Sequence, residues 1–251
     1  MSKLAIITGG SRGLGRSMAL NLAQKGRDVI ITYHSKKAEA EGVVKEIESA
    51  GRKAEALQLD VSQSSSFVDF AGSVERVLTH KFGRRDFDYL INNAGTGVFG
   101  MFLETSEEDF TRMFDEHVKA PYFLSQKLVP LMKDGGRVLN VSSGLTRVSY
   151  PGFSAYIIAK TAVEGVTLCM AKELASRNIT VNAIAPGAIA TDFAGGAVRD
   201  TKELNDEFSH MIALGRVGLP EDIGAAVAAL LDDGTGWMTA QRIEVSGGQI
   251  I

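Results

Sequence analysis

The chain has 251 residues, of which 45% are hydrophobic and 23% charged, and its 27 basic and 30 acidic residues leave a formal net charge of −3. This composition is that of an ordinary globular protein, and the basic residues form no cluster that would indicate a nucleic-acid-binding surface. The apolar run at the N-terminus is too short for a signal peptide, no apolar run is long enough to span a membrane, and a single cysteine, Cys169, excludes a disulfide framework, so we expect a cytoplasmic protein.

Short apolar runs rich in β-branched residues alternate with longer segments of helical periodicity along the chain. The predicted strands are Leu4–Thr8, Val29–Tyr33, Ala54–Leu59, Tyr89–Asn92, Val138–Val141, Ile179–Ala185 and Ile243–Val245. The predicted helices lie near residues 14–25, 37–50, 64–80, 106–132, 155–176 and 220–231. Nearly continuous apolar strands that alternate with helices are typical of a parallel sheet covered on both faces. The sequence therefore predicts an α/β fold, a single Rossmann-type domain over residues 1–251 with a doubly wound, seven-stranded parallel sheet.

The fourth predicted helix and the segment after the sixth strand have local features of their own. Ser106 stands three residues before Asp109, which is the pattern of a capping box at a helix start. Pro121 lies inside the same helix and is expected to kink it, because proline lacks the backbone donor. Residues 188–218 form the one long irregular connection, with a short amphipathic helix predicted over 201–212. A connection of this length in a compact domain is usually functional, and we expect it to be the substrate loop.

The first strand runs directly into a glycine-rich turn, and a helix follows. Glycines let the backbone turn tightly and approach phosphate oxygens, while the free N–H groups of a helix N-terminus attract an anion. The turn reads T-G-x-x-x-G-x-G instead of G-x-G-x-x-G, but the order of strand, glycines and helix still predicts a nucleotide phosphate site. Its predicted residues are Gly9, Ser11, Arg12, Gly13, Leu14 and Gly15.

Tyr156 and Lys160 are four residues apart on a predicted helix, so their side chains project from one face. A positive charge about 4 Å from the phenol is worth about 4 kcal/mol at an effective dielectric near 20, enough to bring a tyrosine pKa of about 10 down towards neutrality. Ser143, just past the fifth strand, is placed to hydrogen-bond a reacting oxygen as negative charge develops there. Alone, the Tyr-x-x-x-Lys pattern indicates only a half-buried helix face. Together with Ser143 and the glycine turn, it predicts that Tyr156 transfers a proton.

With these motifs in this order, the chain resembles the short-chain dehydrogenase/reductase family, and in particular its 3-oxoacyl-carrier-protein reductases, over essentially its whole length. The motifs that carry the resemblance are the glycine turn, Asp60-Val61, Asn92-Asn93-Ala94-Gly95, Ser143, Tyr156-x-x-x-Lys160 and Pro186-Gly187. The resemblance implies an oxidoreductase that moves a hydride between a nicotinamide dinucleotide and a carbonyl or alcohol. It also implies a homotetramer or homodimer in which the helices at 106–132 and 155–176 pair across subunits, with the last strand in a second interface.

The resemblance further assigns residues to the cofactor. Asp60 and Val61 would flank the adenine, and Lys160 would bind the nicotinamide ribose hydroxyls beside Tyr156. The remaining assigned positions are those of the adenosine ribose region, Asn93, Ala94 and Gly95, and those of the nicotinamide side, Pro186, Gly187, Ile189 and Thr191.

The choice between NAD and NADP has its own physical basis. An enzyme of this design that uses NAD needs a carboxylate at the end of the second strand to bind the ribose hydroxyls. Here residues 32–37 contain no acid, and Asp28 lies at the opposite end of the strand. A 2′-phosphate would instead be met by Arg12, His34 and Ser35, since the guanidinium group matches phosphate geometry. Lys36 and Lys37 are either further phosphate contacts or a solvated helix start. The sequence predicts NADP.

His117 stands where the family usually has an asparagine that helps hold a chain of water molecules between the lysine and solvent. An imidazole can donate and accept, so His117 would keep such a relay and make it sensitive to pH. The alternative, which we slightly favour, is that only a backbone carbonyl holds the water and the side chain is tolerated.

The substrate is a small carbonyl or alcohol compound, with no nucleic acid and no membrane as partner. Its pocket is predicted to be lined by Thr96–Phe99, Leu145–Arg147, Tyr150, Phe153 and the loop from Ala188. Reductases of this family that act on a carrier protein tend to have basic residues at the entrance. Arg177 fits one such position, but Asp134 stands at another. Two alternatives stay open: a 3-oxoacyl-carrier-protein reductase, or a nucleotide-binding relative without turnover.

Overall fold

The computed structural model describes residues 2–251 and contains one seven-stranded sheet. The strands are β1 (Leu4–Ile7), β2 (Asp28–Tyr33), β3 (Ala54–Gln58), β4 (Phe87–Asn92), β5 (Met132–Val141), β6 (Thr180–Pro186) and β7 (Arg242–Val245). All neighbours are parallel, in the order β3-β2-β1-β4-β5-β6-β7. The order reverses between β1 and β4, which is where ligands bind in open sheets of this kind. The predicted doubly wound sheet is confirmed.

Nine α-helices accompany the strands within residues 2–251. They are α1 (Gly13–Gln24), α2 (Lys37–Ser49), α3 (Phe67–Val77), α4 (Glu107–Phe114), α5 (Ala120–Leu128), α6 (Ser154–Leu174), α7 (Ala197–Asp200), α8 (Lys202–His210) and α9 (Pro220–Leu230). Side chains of a strand alternate between the two faces of the sheet. Thus Ile7 of β1 packs with α1, α2 and α9, whereas Ile6 packs with α3, α5 and α6. The sheet is therefore covered on both faces, as its continuous apolar strands predict.

The helix predicted over 106–132 is divided into four elements, the last of which is a 3-10 turn over Val129–Leu131. It starts as predicted, with the Asp109 N–H donating to the Ser106 hydroxyl at 3.0 Å. It passes through a π-helical turn over Asp115–Lys119 before α5 begins, and Pro121 lies in the first turn of α5. Proline has no N–H to donate to the carbonyl of His117, four residues back, so the α-helical ladder cannot continue through this point. The predicted kink is thus a wide turn, and it places Glu116 and His117 in buried positions.

Several element boundaries differ from the prediction. The largest difference is in β5, which begins at Met132: this residue pairs with Phe87 of β4, and the register then shifts before Arg137 pairs with Tyr89. The glycines at 135 and 136 lie in this stretch and carry no side chain from which a strand pattern could be predicted. The predicted helix over 201–212 is α8, which is shorter, and the short α7 precedes it. The loop 188–218 therefore carries two helices and is held by backbone bridges at both ends.

Candidate active site

The glycine turn between β1 and α1 is held from below by the residue that follows β4. The Asn93 side-chain amide donates to the carbonyls of Thr8 at 2.8 Å and Gly9 at 3.1 Å. A Cβ on Gly15 would lie 2.2 Å from the Gly9 oxygen and 2.7 Å from the Asn93 amide nitrogen, so no larger residue fits. Gly13, with φ +54, begins α1. The residues predicted to cradle phosphate thus form one turn.

The N-terminus of α1 fits an anion. Its N-cap residue, Arg12, makes no capping hydrogen bond through its side chain, and the first turn contains no acidic residue. The N–H groups of this turn are therefore not satisfied by a side chain, and the helix dipole favours negative charge at this point. The residues present fit the pyrophosphate of a dinucleotide.

The adenosine end of the cleft lies past β2. His34 is exposed, and its Nε2 is 3.6 Å from the Asp60 carboxylate, so these two predicted residues lie together. Arg12 is also exposed, but its guanidinium donates to Asp192 of the substrate loop at 3.2 Å. Lys36 and Lys37 pair with glutamates of α2 at 3.8 and 3.7 Å, which favours the solvated helix start for both. Surface pairs of this kind are worth little and do not prevent a stronger contact with phosphate.

Ser143, Tyr156 and Lys160 meet where β5 ends against α6. All three are buried, with 8%, 8% and 4% of their surfaces exposed, respectively. Ser143 caps the short turn after β5, its hydroxyl accepting from the Leu145 N–H at 3.2 Å. The Lys160 ammonium donates to the Val141 carbonyl at 2.7 Å and lies 5.6 Å from the centre of the Tyr156 ring. The predicted one-face arrangement is present.

The pKa of Tyr156 differs from the expectation. Burial raises the pKa of Tyr156 to about 12, and a hydrogen bond with Ser143 offsets this only in part. Burial also lowers the pKa of Lys160 to about 7, against the attraction of Glu116. The expected lowering of the tyrosine pKa assumed a charged amine in a medium of high dielectric, whereas both groups lose hydration here. That expectation is wrong for the protein alone.

His117 is buried at the edge of the Tyr156 ring, with the ring centres 5.3 Å apart. Its Nε2 lies 2.7 Å from the Thr96 carbonyl, and because a carbonyl only accepts, Nε2 must carry the hydrogen. Nδ1 is then an acceptor, and it has no hydrogen-bond partner among residues 2–251. Burial and the charge of Lys160 hold the pKa of His117 well below its usual range. A Cβ on Gly95 would lie 2.1 Å from the imidazole, so this glycine makes room for it.

The nicotinamide side is formed where β6 ends. The Gly187 N–H donates to the Val245 carbonyl at 3.1 Å, and Ile189 bridges to Gly218. A Cβ on Gly13 would be 4.0 Å from Thr191, which places this threonine beside the glycine turn. The positions predicted from Pro186 to Thr191 therefore face the same cleft as the phosphate turn.

Three polar residues of the site escaped the sequence analysis. Glu116 accepts from both the N–H and the hydroxyl of Thr96, at 2.7 and 2.8 Å, and so holds the loop that carries Gly95. Glu164 accepts from Ser142 at 2.5 Å and from Arg242 at 2.9 Å, beneath the turn of Ser143. Gln249 accepts from the Ala188 N–H at 2.9 Å. In the sequence, only Glu116 could have been suspected, because it stands next to His117. The hydrogen-bond partners of all three residues are far from them in the chain.

Residues 2–251 were compared with the side-chain groups that bind metal ions and with helices that span membranes. No group of three histidine, cysteine or acidic side chains is placed to hold a metal ion. No helix in this range has the length and apolar character needed to cross a bilayer.

The family model described as enoyl-(acyl carrier protein) reductase matches residues 9–249. The 3-oxoacyl-[acyl-carrier-protein] reductase FabG of Staphylococcus aureus is 37% identical over 250 residues, 99% of this chain and 98% of its own. The solved structure of the promiscuous reductase LugOII, which catalyses keto-reduction at C1 during lugdunomycin biosynthesis, is 37% identical with a TM-score of 0.94, covering 99% of this chain and 98% of that one. The angucycline C-6 ketoreductase LanV with bound NADP is 36% identical with a TM-score of 0.93, covering 99% and 95%.

Proposed function

We propose that this chain, which belongs to the short-chain dehydrogenase/reductase family, reduces a small-molecule ketone with Tyr156 as the proton donor. The premise is that it is an NADP-dependent oxidoreductase of carbonyl and alcohol substrates. The observation that carries the proposal is the buried Tyr156 side chain, which lies with buried Ser143 at the end of β5 and has the Lys160 ammonium 5.6 Å from its ring centre. A phenol whose pKa is about 12 keeps its proton at neutral pH, which suits an acid that acts in reduction.

Each residue of this set has a separate role. NADPH, when bound, supplies the hydride. Tyr156 gives its phenolic proton to the carbonyl oxygen as that oxygen becomes negative, and the Ser143 hydroxyl donates a hydrogen bond to the same oxygen. Lys160, with a pKa of about 7, then returns a proton to the phenolate. His117 stays neutral and orients the ring of Tyr156 from its edge, and its Nδ1, which has no hydrogen-bond partner within residues 2–251, would accept from a water molecule of the proton relay to Lys160.

The cofactor contacts follow the cleft described above. The turn from Gly9 to Gly15 would hold the pyrophosphate on the N–H groups of α1. Arg12, His34 and Ser35 would hold the 2′-phosphate. Strand β2 does not end in a carboxylate that would repel this phosphate. The other proposed contacts are Asp60 and Val61 at the adenine, Asn93, Ala94 and Gly95 at its ribose, and Pro186, Gly187, Ile189 and Thr191 at the nicotinamide.

The second candidate is reduction of a 3-oxoacyl group on a carrier protein, which the identity to FabG favours. An acidic carrier protein needs basic residues at the entrance of the site, and here only Arg177 fits such a position. Arg177 donates to Asp134 at 2.7 Å and to the Val129 carbonyl at 2.9 Å, so its charge is neutralised and its guanidinium is tied to the backbone. We therefore place this activity second.

The assembly is proposed as a homotetramer of single-domain subunits, with a homodimer as the alternative. Helix α6 exposes Ile158 and Leu168, and Trp237 before β7 is fully exposed. Apolar surface of this kind is typical of an interface. The cytoplasmic location stays a prediction.

The experiment is NADPH oxidation by the purified protein against a panel of ketones and a 3-oxoacyl carrier-protein thioester. We expect turnover of ketones without a carrier. A thioester that is turned over with a kcat/KM well above that of every ketone would support the second candidate. Binding of NADPH without turnover of any substrate in the panel would leave only a nucleotide-binding protein.

A further inference from the structure

Aromatic side chains from three separate segments meet near the start of α6. Phe99 of the loop after β4 packs edge-on against Phe153, with ring centres 5.5 Å apart. Phe153 lies 6.3 Å from Tyr150, and Tyr150 lies 5.8 Å from Phe208 of α8. These four rings form a continuous row from the loop after β4, across the start of α6, to the substrate loop.

A fifth ring packs against the ring of Tyr156. Phe193 of the substrate loop lies 5.2 Å from the ring of Tyr156, tilted by 54°. It also rests on the loop after β4, because a Cβ on Gly97 would lie 2.4 Å from its ring. Gly152 lies against Phe99 in the same way, at 2.3 Å. Gly97 and Gly152, on two different loops, thus allow Phe193 and Phe99 to lie directly on backbone.

Two of these five rings, those of Phe99 and Phe193, are partly uncovered. Phe99 is 67% exposed and Phe193 is 39% exposed. Large apolar side chains that stay exposed close to one another mark a surface that a ligand can cover. Arg147, the basic side chain of the predicted pocket segment Leu145–Arg147, is bound by Glu244 at 2.9 and 2.7 Å and by the Ile250 carbonyl. The charge of Arg147 is therefore neutralised, and the rings of Phe99 and Phe193 are left as the apolar part of this wall.

Resting on the proposed reductase function, we propose that the cleft selects ketones in which the ring that bears the carbonyl is fused to an aromatic ring. Aromatic rings gain from offset or edge-on contact beyond the area that they bury, and a saturated ring of equal size cannot make these contacts. Phe99 and Phe193 are the specificity-determining residues, and they hold the aromatic part while the carbonyl oxygen reaches Tyr156.

The test compares two ketones of one skeleton, 2-tetralone and trans-2-decalone. The carbonyl is unconjugated in both, so their intrinsic reactivity is similar and only the second ring differs. The wild-type protein should reduce 2-tetralone with a kcat/KM higher by about two- to tenfold. Phe99→Leu should lose about that factor for 2-tetralone and nothing for 2-decalone. Phe102→Leu is the matched control, because Phe102 is 79% exposed in the same loop and makes no ring pair within residues 2–251. It should leave both values unchanged.

Binding of both ketones to the NADP⁺-loaded protein, measured by calorimetry, separates the two proposals. If no ketone is reduced but 2-tetralone binds more tightly in the wild type and not in Phe99→Leu, the reductase function fails and the selectivity stands. If 2-decalone is reduced and bound as well as 2-tetralone, the selectivity is overturned while the reductase function stands. Equal losses in Phe99→Leu and Phe102→Leu, or equal losses for the two ketones, would also overturn it.

Discussion

At the scale of single residues, the site buries ionisable side chains, and burial makes their charged forms unfavourable. Lys160 is the clearest example, since a pKa that falls from 10.5 to about 7 corresponds to about 5 kcal/mol against the charged amine. Its one hydrogen bond in the structure, to the Val141 carbonyl, offsets only part of this. A residue kept at such a cost is typical of a functional site.

Lys160→Met should therefore raise the stability of the cofactor-free protein while it abolishes turnover. Because the folded pKa lies below the unfolded one, the cost of the lysine is present in full below pH 7 and disappears as the pH rises towards 10.5. Leaving the Val141 carbonyl unpaired costs about 1–3 kcal/mol. Thermal unfolding should show a clear gain at pH 6 and little or none at pH 9. A gain that is the same at both pH values would contradict the assignment.

Tyr156→Phe removes the transferable proton and keeps the ring between His117 and Phe193. General acid catalysis is worth about 10²–10⁴-fold, so kcat should fall by that factor. The dissociation constant for NADPH, measured by fluorescence titration, should stay within about twofold, because a lost uncharged contact costs little. A variant that keeps more than about a tenth of the wild-type rate would remove Tyr156 from the proposed role.

His117→Asn tests whether the imidazole titrates during turnover. Since the pKa of His117 lies well below its usual range, the side chain is neutral throughout the neutral region and contributes no acidic limb there. Profiles of kcat/KM against pH from 5.5 to 9, at saturating NADPH, should have the same shape in the two proteins. A limb near pH 6.5 that is present in the wild type and absent from the variant would mean that His117 carries a proton in the relay.

At the scale of elements, two irregularities position the site. The π-helical turn before Pro121 directs Glu116 and His117 towards the loop of Gly95, which a regular helix of the same length would not do. The glycine turn is packed against Asn93, at the end of β4, so the phosphate site depends on how closely α1 approaches that strand. Both features join segments that are not neighbours in the chain.

Gly15→Ala should weaken NADPH binding and lower stability, because the added Cβ would overlap the Gly9 carbonyl and the Asn93 amide. Gly42→Ala is the matched control, since Gly42 lies in α2 with nothing within 4 Å of an added Cβ. The control should be more stable by about 0.5–1 kcal/mol, the usual preference of a helix for alanine. Urea unfolding and NADPH titration of the two variants measure both effects. Unchanged NADPH affinity in Gly15→Ala would contradict the proposed phosphate site.

At the scale of the whole molecule, exposed apolar residues gather on the elements proposed to pair between subunits. Trp237 is fully exposed next to β7, and Leu168 on α6 is 55% exposed. Strand β7 is also an edge of the sheet, where unpaired backbone groups favour pairing with a second copy.

Trp237→Lys should therefore convert the tetramer into a dimer, because a charge at the β7 interface is costly to bury. Light scattering coupled to size-exclusion chromatography measures the change, against a subunit mass of 26.8 kDa. Val68→Lys is the control, since Val68 is 63% exposed on α3, outside both proposed interfaces, and should leave the mass unchanged. A wild-type protein that elutes with the mass of a dimer, unaffected by Trp237→Lys, would favour the homodimer.

Most of the fold was predictable because its signals are local. All seven strands follow from apolar runs, and the glycine turn follows from residues that are adjacent in the chain. The start of β5 was not predictable, since glycines leave no alternation of side chains to detect. Asp192 beside Arg12 was not predictable either, because 180 residues separate them.

The sequence by itself determined the order of the elements, the glycine turn, and the spacing that sets Tyr156 and Lys160 on one face of a helix, because each depends on residues within a few positions of one another. Tertiary structure alone decided the direction of their pKa values, the protonated nitrogen of His117 and the row of rings beside Tyr156. Burial and hydrogen bonding come from segments far apart in the chain, and these, rather than the spacing, set how strongly a buried group holds its proton.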